Sequence, residues 1–220
     1  MGVPAILARY LARPVKQRGR AASADLRSLS ALLLRGDVLL TNGNTRIAAL
    51  VRLLTRSPWS HVAMYVGPLE AGPDPRCVVE ADVAAGVRAV PLSEFDGQQA
   101  RVLRPVGLQD ADRRRLADWV VSRIGSEYDH AYAWALARRL LGLPSVSPPA
   151  AAPGSGFICS SLLARAFVLI GFQISAQLPR DFERASGFDV VAADTHLCQP
   201  ARCAPSAAYA RHARPPHSST

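Results

Sequence analysis

Residues 155–172 read SGFICSSLLARAFVLIGF. A short glycine-containing loop delivers a cysteine, Cys159, to the start of an apolar run that reads as a helix. Two readings of this thiol stand open. Free cysteine is among the most buried residue types, so Cys159 fits ordinary core packing. A helix N-terminus also favours a thiolate, so it fits a nucleophile. The choice turns on a base, and the base has to come from elsewhere in the chain.

Upstream, WSHVAMYVG (59–67) alternates as a strand does: His61, Ala63 and Tyr65 point one way, Val62, Met64 and Val66 the other. CVVEAD (77–82) is a second short strand, with Glu80 near its end. A cysteine nucleophile needs an imidazole or similar base, and the imidazole needs a third group to fix its orientation. Side chains on neighbouring antiparallel strands approach within about 5 Å, so His61 and Glu80 can lie side by side. Taken singly, each residue also fits a plain structural or solvated role.

The rest of the chain supplies the frame. LLRGDVLLTNG (33–43) opens the domain with a turn at Gly36 and Asp37 and a buried strand at Val38, Leu39 and Leu40. NTRIAALVRLLTRSP (44–58) predicts a helix capped by Asn44 or Thr45, with Ile47, Leu50, Val51 and Leu54 as its apolar face and Pro58 ending it. GVRAVPL (86–92) and ARVLRPV (100–106) read as further strands. DADRRRLADWVVSRIG (110–125) and DHAYAWALARRLLG (129–142) read as helices, the first with Gly125 as C-cap. LPSVSPPAAAPGSG (143–156) is a Pro-rich surface loop. The pattern is α+β: a small, largely antiparallel sheet followed by a helical half. The expected division is a basic helical lead-in over 1–30, a domain over 31–193 and a poorly ordered tail over 194–220.

The 220 residues carry 49% apolar side chains, which supports a real core and excludes a disordered chain. No apolar run reaches the roughly 18–20 residues of a spanning helix. Arginines interrupt the N-terminal apolar stretch, so no signal peptide is evident, and a cytoplasmic or peripheral membrane placement is expected. The formal charge of +9 favours anionic partners. No zinc finger, helix-turn-helix or aromatic-rich basic strand set points to nucleic acid. The lead-in, with Leu7, Tyr10 and Leu11 beside Arg9, Arg13 and Lys16, suits an anionic membrane surface. Cys77, Cys159, Cys198 and Cys203 match no disulfide framework, and His196, Cys198, Cys203 and His212 have the wrong spacing for a zinc knuckle. No metal and no cofactor is expected.

RGDVLLTNG, SPWSHVAMYVG, VVEAD, GSEYDHAY, FICSSLLARAF and LPRDF, in that order, resemble the circularly permuted NlpC-type papain-like cysteine hydrolases. The similarity is to their YiiX-like branch, related to the lecithin:retinol acyltransferases. It spans roughly Arg35 to Val191. In this branch the histidine strand precedes the cysteine helix, as it does here. The resemblance implies a permuted papain-like fold with Cys159 as nucleophile, His61 as general base and Glu80 orienting the imidazole. It also implies that Tyr128 lines the cleft or bonds near the thiol. One departure is that Ser160 and Ser161 follow the cysteine where many relatives have a glutamate. The chemistry implied is an acyl-enzyme hydrolase of amides such as peptide or cell-wall peptide bonds. Phospholipid ester hydrolysis or acyl transfer at a membrane would use the same triad. A binding protein that kept the fold without turnover is the reading from outside enzymes.

Overall fold

The computed structural model describes residues 22–144, 156–172, 177–185 and 187–198. Most of the lead-in, the Pro-rich loop and the tail with Cys203 and His212 lie outside the described residues.

The sheet is built around VLLT. This strand, β2 (Val38–Thr41), is buried at all four positions, as a central strand must be. It pairs antiparallel with β3 (His61–Tyr65) on one side and β6 (Gln99–Pro105) on the other. β4 (Arg76–Asp82) and β5 (Gly86–Pro91) extend the sheet beyond β3 as a hairpin. β7 (Phe188–Cys198) closes the other side against β6, and β1 (Ala22–Asp25) adds a parallel edge. The order is β1-β7-β6-β2-β3-β4-β5. Six strands are mutually antiparallel, and with the helices this gives the expected permuted papain-like α+β fold.

Both faces of the sheet are covered, and strand alternation divides the core in two. Val38, Leu40, Val62, Met64, Val79 and Ala81 face the larger cluster. There they meet Leu116 and Val120 of α3 (Asp110–Val121), Phe182 of α6 (Pro179–Arg184), and Leu162, Leu163 and Phe167 of α5 (Cys159–Leu169). Leu39, Ala63, Tyr65, Val78 and Val102 face the other way. They are covered by Leu29 and Leu33 of and after α1 (Leu26–Leu32) and by Leu92 and Phe95 of a 3₁₀ turn (Leu92–Phe95). Each fully buried leucine is worth about 1.5–3 kcal/mol, so the apolar stripe of α5 fixes that helix, and Cys159 with it, against the sheet.

Two features differ from the sequence expectation. Residues 22–25, within the expected helical lead-in, form a strand, and β7 runs to Cys198, past the expected domain end at 193. Each strand is held by a partner far away in sequence, which local composition does not reveal. Helix α2 (Arg46–Thr55) is capped by Thr45, whose hydroxyl accepts the Ala48 N–H at 3.2 Å. It ends at Arg56 in the left-handed region (φ 50°), two residues before Pro58. Its outer leucines are not covered: Leu50 is 44% and Leu53 74% exposed.

Candidate active site

His61 is the first residue of β3, at the end of the sheet. The β3–β4 register pairs Met64 with Val79; extended by one step it sets Glu80 opposite Ala63, diagonal to His61 on the same face. Glu80 Oε2 lies 2.7 Å from His61 Nε2. Its other oxygen is held from the far side. Arg88 is the direct cross-strand partner of Glu80 on β5 and donates from Nε to Glu80 Oε1 at 2.9 Å. Arg88 also reaches Glu94 at 3.3 Å. Glu80 is 4% exposed, and burial alone would raise its pKa. The hydrogen bond and charge of His61, then Arg88, outweigh burial and hold the carboxyl below its usual range.

Cys159 lines the same cleft as His61, and its sulfur and the Glu80 carboxylate both favour the charged imidazole. Burial pushes the imidazole pKa down, but Cys159 and Glu80 outweigh it, and it rises to about 10. At neutral pH His61 therefore holds its proton between a carboxylate and a sulfur.

Cys159 is delivered by a backbone junction. Phe157 bridges Tyr128 in parallel: its N–H donates to Glu127 O at 2.9 Å, and Asp129 N–H donates to Phe157 O at 3.1 Å. Only glycine permits this approach, because a Cβ on Gly156 would stand 2.8 Å from Glu127 O. Cys159 is then the first residue of α5, half-buried, with first-turn N–H groups that have no intrahelical acceptor. The two serines that follow the cysteine have structural partners. The Ser161 hydroxyl accepts the Ile158 N–H at 3.0 Å. Ser160 is fully buried and donates to Gln177 O at 2.7 Å, tying α5 to the segment before α6. There, LPRDF places Pro179 at the first turn and Asp181 Oδ2 on the N–H groups of Gln177 and Leu178.

His61, Glu80, Cys159 and Tyr128, the four residues singled out from the sequence, line one cleft of about 480 Å³. Ile47, Ala48 and Val51 of α2 give it an apolar wall; Asp82, Arg88, Ser93, Glu94 and Gln98 give it a polar one. Burial raises the pKa of the Tyr128 phenol, so it keeps its proton and stays a donor. Two cleft residues escaped the sequence reading. Arg88 was detectable: it and Glu80 are opposite charges equidistant from the hairpin turn at Val83–Ala85. Thr41 was not. It is 1% exposed, sits across from His61 in the β2–β3 register, and its hydroxyl has no hydrogen-bond partner. A buried hydroxyl without a partner is an exception that calls for an explanation.

A family model described as permuted papain-like amidase enzyme, YaeF/YiiX, C92 family, matches residues 33–140. A solved structure, the metalloprotein yiiX from Escherichia coli O157:H7, superposes with a TM-score of 0.55 at 16% identity, covering 73% of this chain and 97% of that one. Residues 33–140 thus carry the pattern of the permuted papain-like family, and the fold is that of the YiiX-like proteins. The proteins this chain resembles are cysteine-dependent hydrolases of the amidase type. The matched stretch contains His61, Glu80 and Tyr128 and stops short of Cys159. No curated protein matches the chain. Among the described residues no group of three or more His, Cys, Asp and Glu side chains is set to hold a metal, and both Glu80 oxygens are engaged by His61 and Arg88. No helix among them is long and apolar enough to cross a membrane.

Proposed function

We propose that this permuted papain-like protein hydrolyses amide bonds, with peptides of the cell-wall type as substrates, through an acyl-enzyme on Cys159. The reading rests on one observation: a buried carboxylate, clamped by Arg88, holds His61 against the sulfur at a helix N-terminus inside an open cleft. The family's description as amidase favours an amide over an ester.

Cys159 Sγ attacks the substrate carbonyl carbon while His61 holds the thiol proton. The electron pair of the C=O bond moves to oxygen, which the first-turn N–H groups of α5 and the Thr41 hydroxyl stabilise. His61 passes its proton to the departing nitrogen as the C–N bond breaks, leaving a thioester. Water then attacks the thioester carbonyl, His61 accepts its proton, and the acid leaves as the thiol reforms. Glu80 acts through His61, and Tyr128 lines the cleft as a donor. The apolar wall of Ile47, Ala48 and Val51 favours a second reading, in which the acyl group is a lipid chain and the bond an ester.

Intact-mass spectrometry with peptidoglycan stem peptides and with mixed phospholipid vesicles separates these readings, comparing wild type with Cys159→Ala. Peptide cleavage lost in the variant supports the amidase. Cys159-dependent lysolipid, or an acyl mass on the protein, moves the assignment to lipid chemistry. No Cys159-dependent change with either substrate opposes both and favours a binding protein on this fold.

A further inference from the structure

Helix α2 has more apolar surface than the fold uses. At roughly 100° per residue, Leu53, Leu50, Leu54, Ile47 and Val51 follow one another around it. The stripe begins in solvent at Leu53 and ends on the cleft wall at Ile47 and Val51. Helix α4 (His130–Leu140), which contacts α2, buries none of its residues fully. It exposes Trp134 to 65%, and Leu141, the residue just past its end, is 55% exposed.

The sequence around these helices is rich in arginine and poor in carboxylates, with Asp129 capping the start of α4. No Asp or Glu occurs between Asp37 and Glu70, a stretch that carries Arg46, Arg52 and Arg56. None occurs between Asp129 and Asp181, a stretch that carries Arg138, Arg139, Arg165 and Arg180. The cleft's carboxylates, Asp82 and Glu94, belong to its other wall. Exposed leucines with a tryptophan, on arginine-rich stretches that hold no carboxylate of their own, match an anionic lipid surface, where apolar side chains enter the acyl boundary and guanidinium groups meet headgroup phosphates.

We infer that α2 and α4 form a docking surface for an anionic phospholipid bilayer, with the cleft mouth at the lipid interface. Docking is separate from turnover, so Cys159→Ala binds as wild type does. It is also separate from the basic lead-in, which adds charge without the exposed leucines of α2.

Sedimentation of the full chain with phosphatidylglycerol vesicles, against phosphatidylcholine vesicles, tests this. The expected result is binding to the anionic vesicles only, weakening as salt rises. Leu50→Glu with Leu53→Glu, at exposed positions checked by thermal melting, should reduce binding at least tenfold. Trp134→Ala on the other helix should weaken it too. The tryptophan emission of wild type should shift to the blue on binding, and that shift should be missing in Trp134→Phe. Neutralising Arg9, Arg13 and Lys16 to Gln should leave the leucine dependence intact. Failure to bind phosphatidylglycerol would overturn the proposal. So would binding that ignores the leucines and disappears with the lead-in charges. A wild-type dimer that the glutamates convert to a monomer, without vesicle binding, would give the surface to a second copy of the chain instead.

Discussion

At the scale of single residues, the site depends on a chain of charges in which each member holds the next. Arg88 and His61 keep Glu80 ionised despite its burial, and Glu80 with Cys159 keeps His61 protonated up to about pH 10. Replacing Glu80 with Gln removes the charge, so the imidazole pKa falls, and the alkaline limb of kcat/KM should move to lower pH. Replacing Arg88 with Ala removes a partner that lowers the Glu80 pKa, so the acidic limb should move to higher pH. A pH–rate profile for each variant reads both shifts; unchanged limbs would mean that neither residue acts on His61. Thr41→Val is a different kind of test. Its hydroxyl is buried without a partner, and an isosteric methyl relieves that cost. The melting temperature should hold or rise while kcat/KM drops roughly tenfold, the worth of one hydrogen bond. A purely structural threonine would move stability alone. His61 and Glu80 were legible in the sequence because strand alternation and the order of segments both point to them. Thr41 was not, because an unsatisfied hydroxyl is a property of its surroundings.

At the scale of elements, the decisive contact is the junction between the Tyr128 segment and the loop before α5. Gly156→Ala would drive a methyl into Glu127 O and Asp129 N, where the nearest distances are 2.8 and 2.9 Å, and backbone rather than a movable side chain is in the way. It should lower stability and reduce activity more than its size suggests, because the start of α5 is displaced. Activity and a thermal melt measured together check this; a variant that melts like wild type and turns over normally would show that the junction does not position Cys159. The sequence displayed the helix, its cysteine and a glycine nearby. It could not show that Gly156 abuts a segment about thirty residues upstream, since that contact is made in three dimensions. Strands β1 and β7 were illegible for the same reason: their pairing, not their composition, makes them strands.

At the scale of the whole molecule, a sheet covered on both faces carries its reactive groups at one end. Asp37, fully buried, anchors the frame: its carboxylate takes the Leu34 N–H at 2.9 Å and the Arg104 guanidinium at 2.6 Å. Asp37→Ala leaves Arg104 only the Leu32 carbonyl at 2.6 Å and removes the acceptor of the Leu34 N–H; it should cost about 3 kcal/mol, the low end for breaking a buried pair, read as a large fall in denaturant midpoint. The pH dependence of stability has a defined sign. His61, raised from 6.5 to about 10, contributes fully below pH 6.5 and loses its contribution as pH climbs toward 10. Cys77, pushed up to about 11 by burial, adds a further loss above pH 9. Glu80 contributes above its ordinary carboxyl range and is lost on acidification. The melting temperature should therefore decline between pH 7 and 10, and decline less in His61→Ala. The α+β class and the order of segments were readable from the chain because local patterns determine them. The exposed stripe on α2 was not, since periodicity marks an apolar face without saying whether anything covers it.

The central claim is that His61 activates Cys159. The measurement that bears on it most directly is the rate of iodoacetamide labelling at each cysteine, resolved by peptide mapping, between pH 5 and 9. Cys159 should react far faster than Cys77, Cys198 or Cys203 at neutral pH, and His61→Ala should abolish the difference. Labelling of Cys159 at the rate of the other thiols, or a rate indifferent to His61, would contradict the claim.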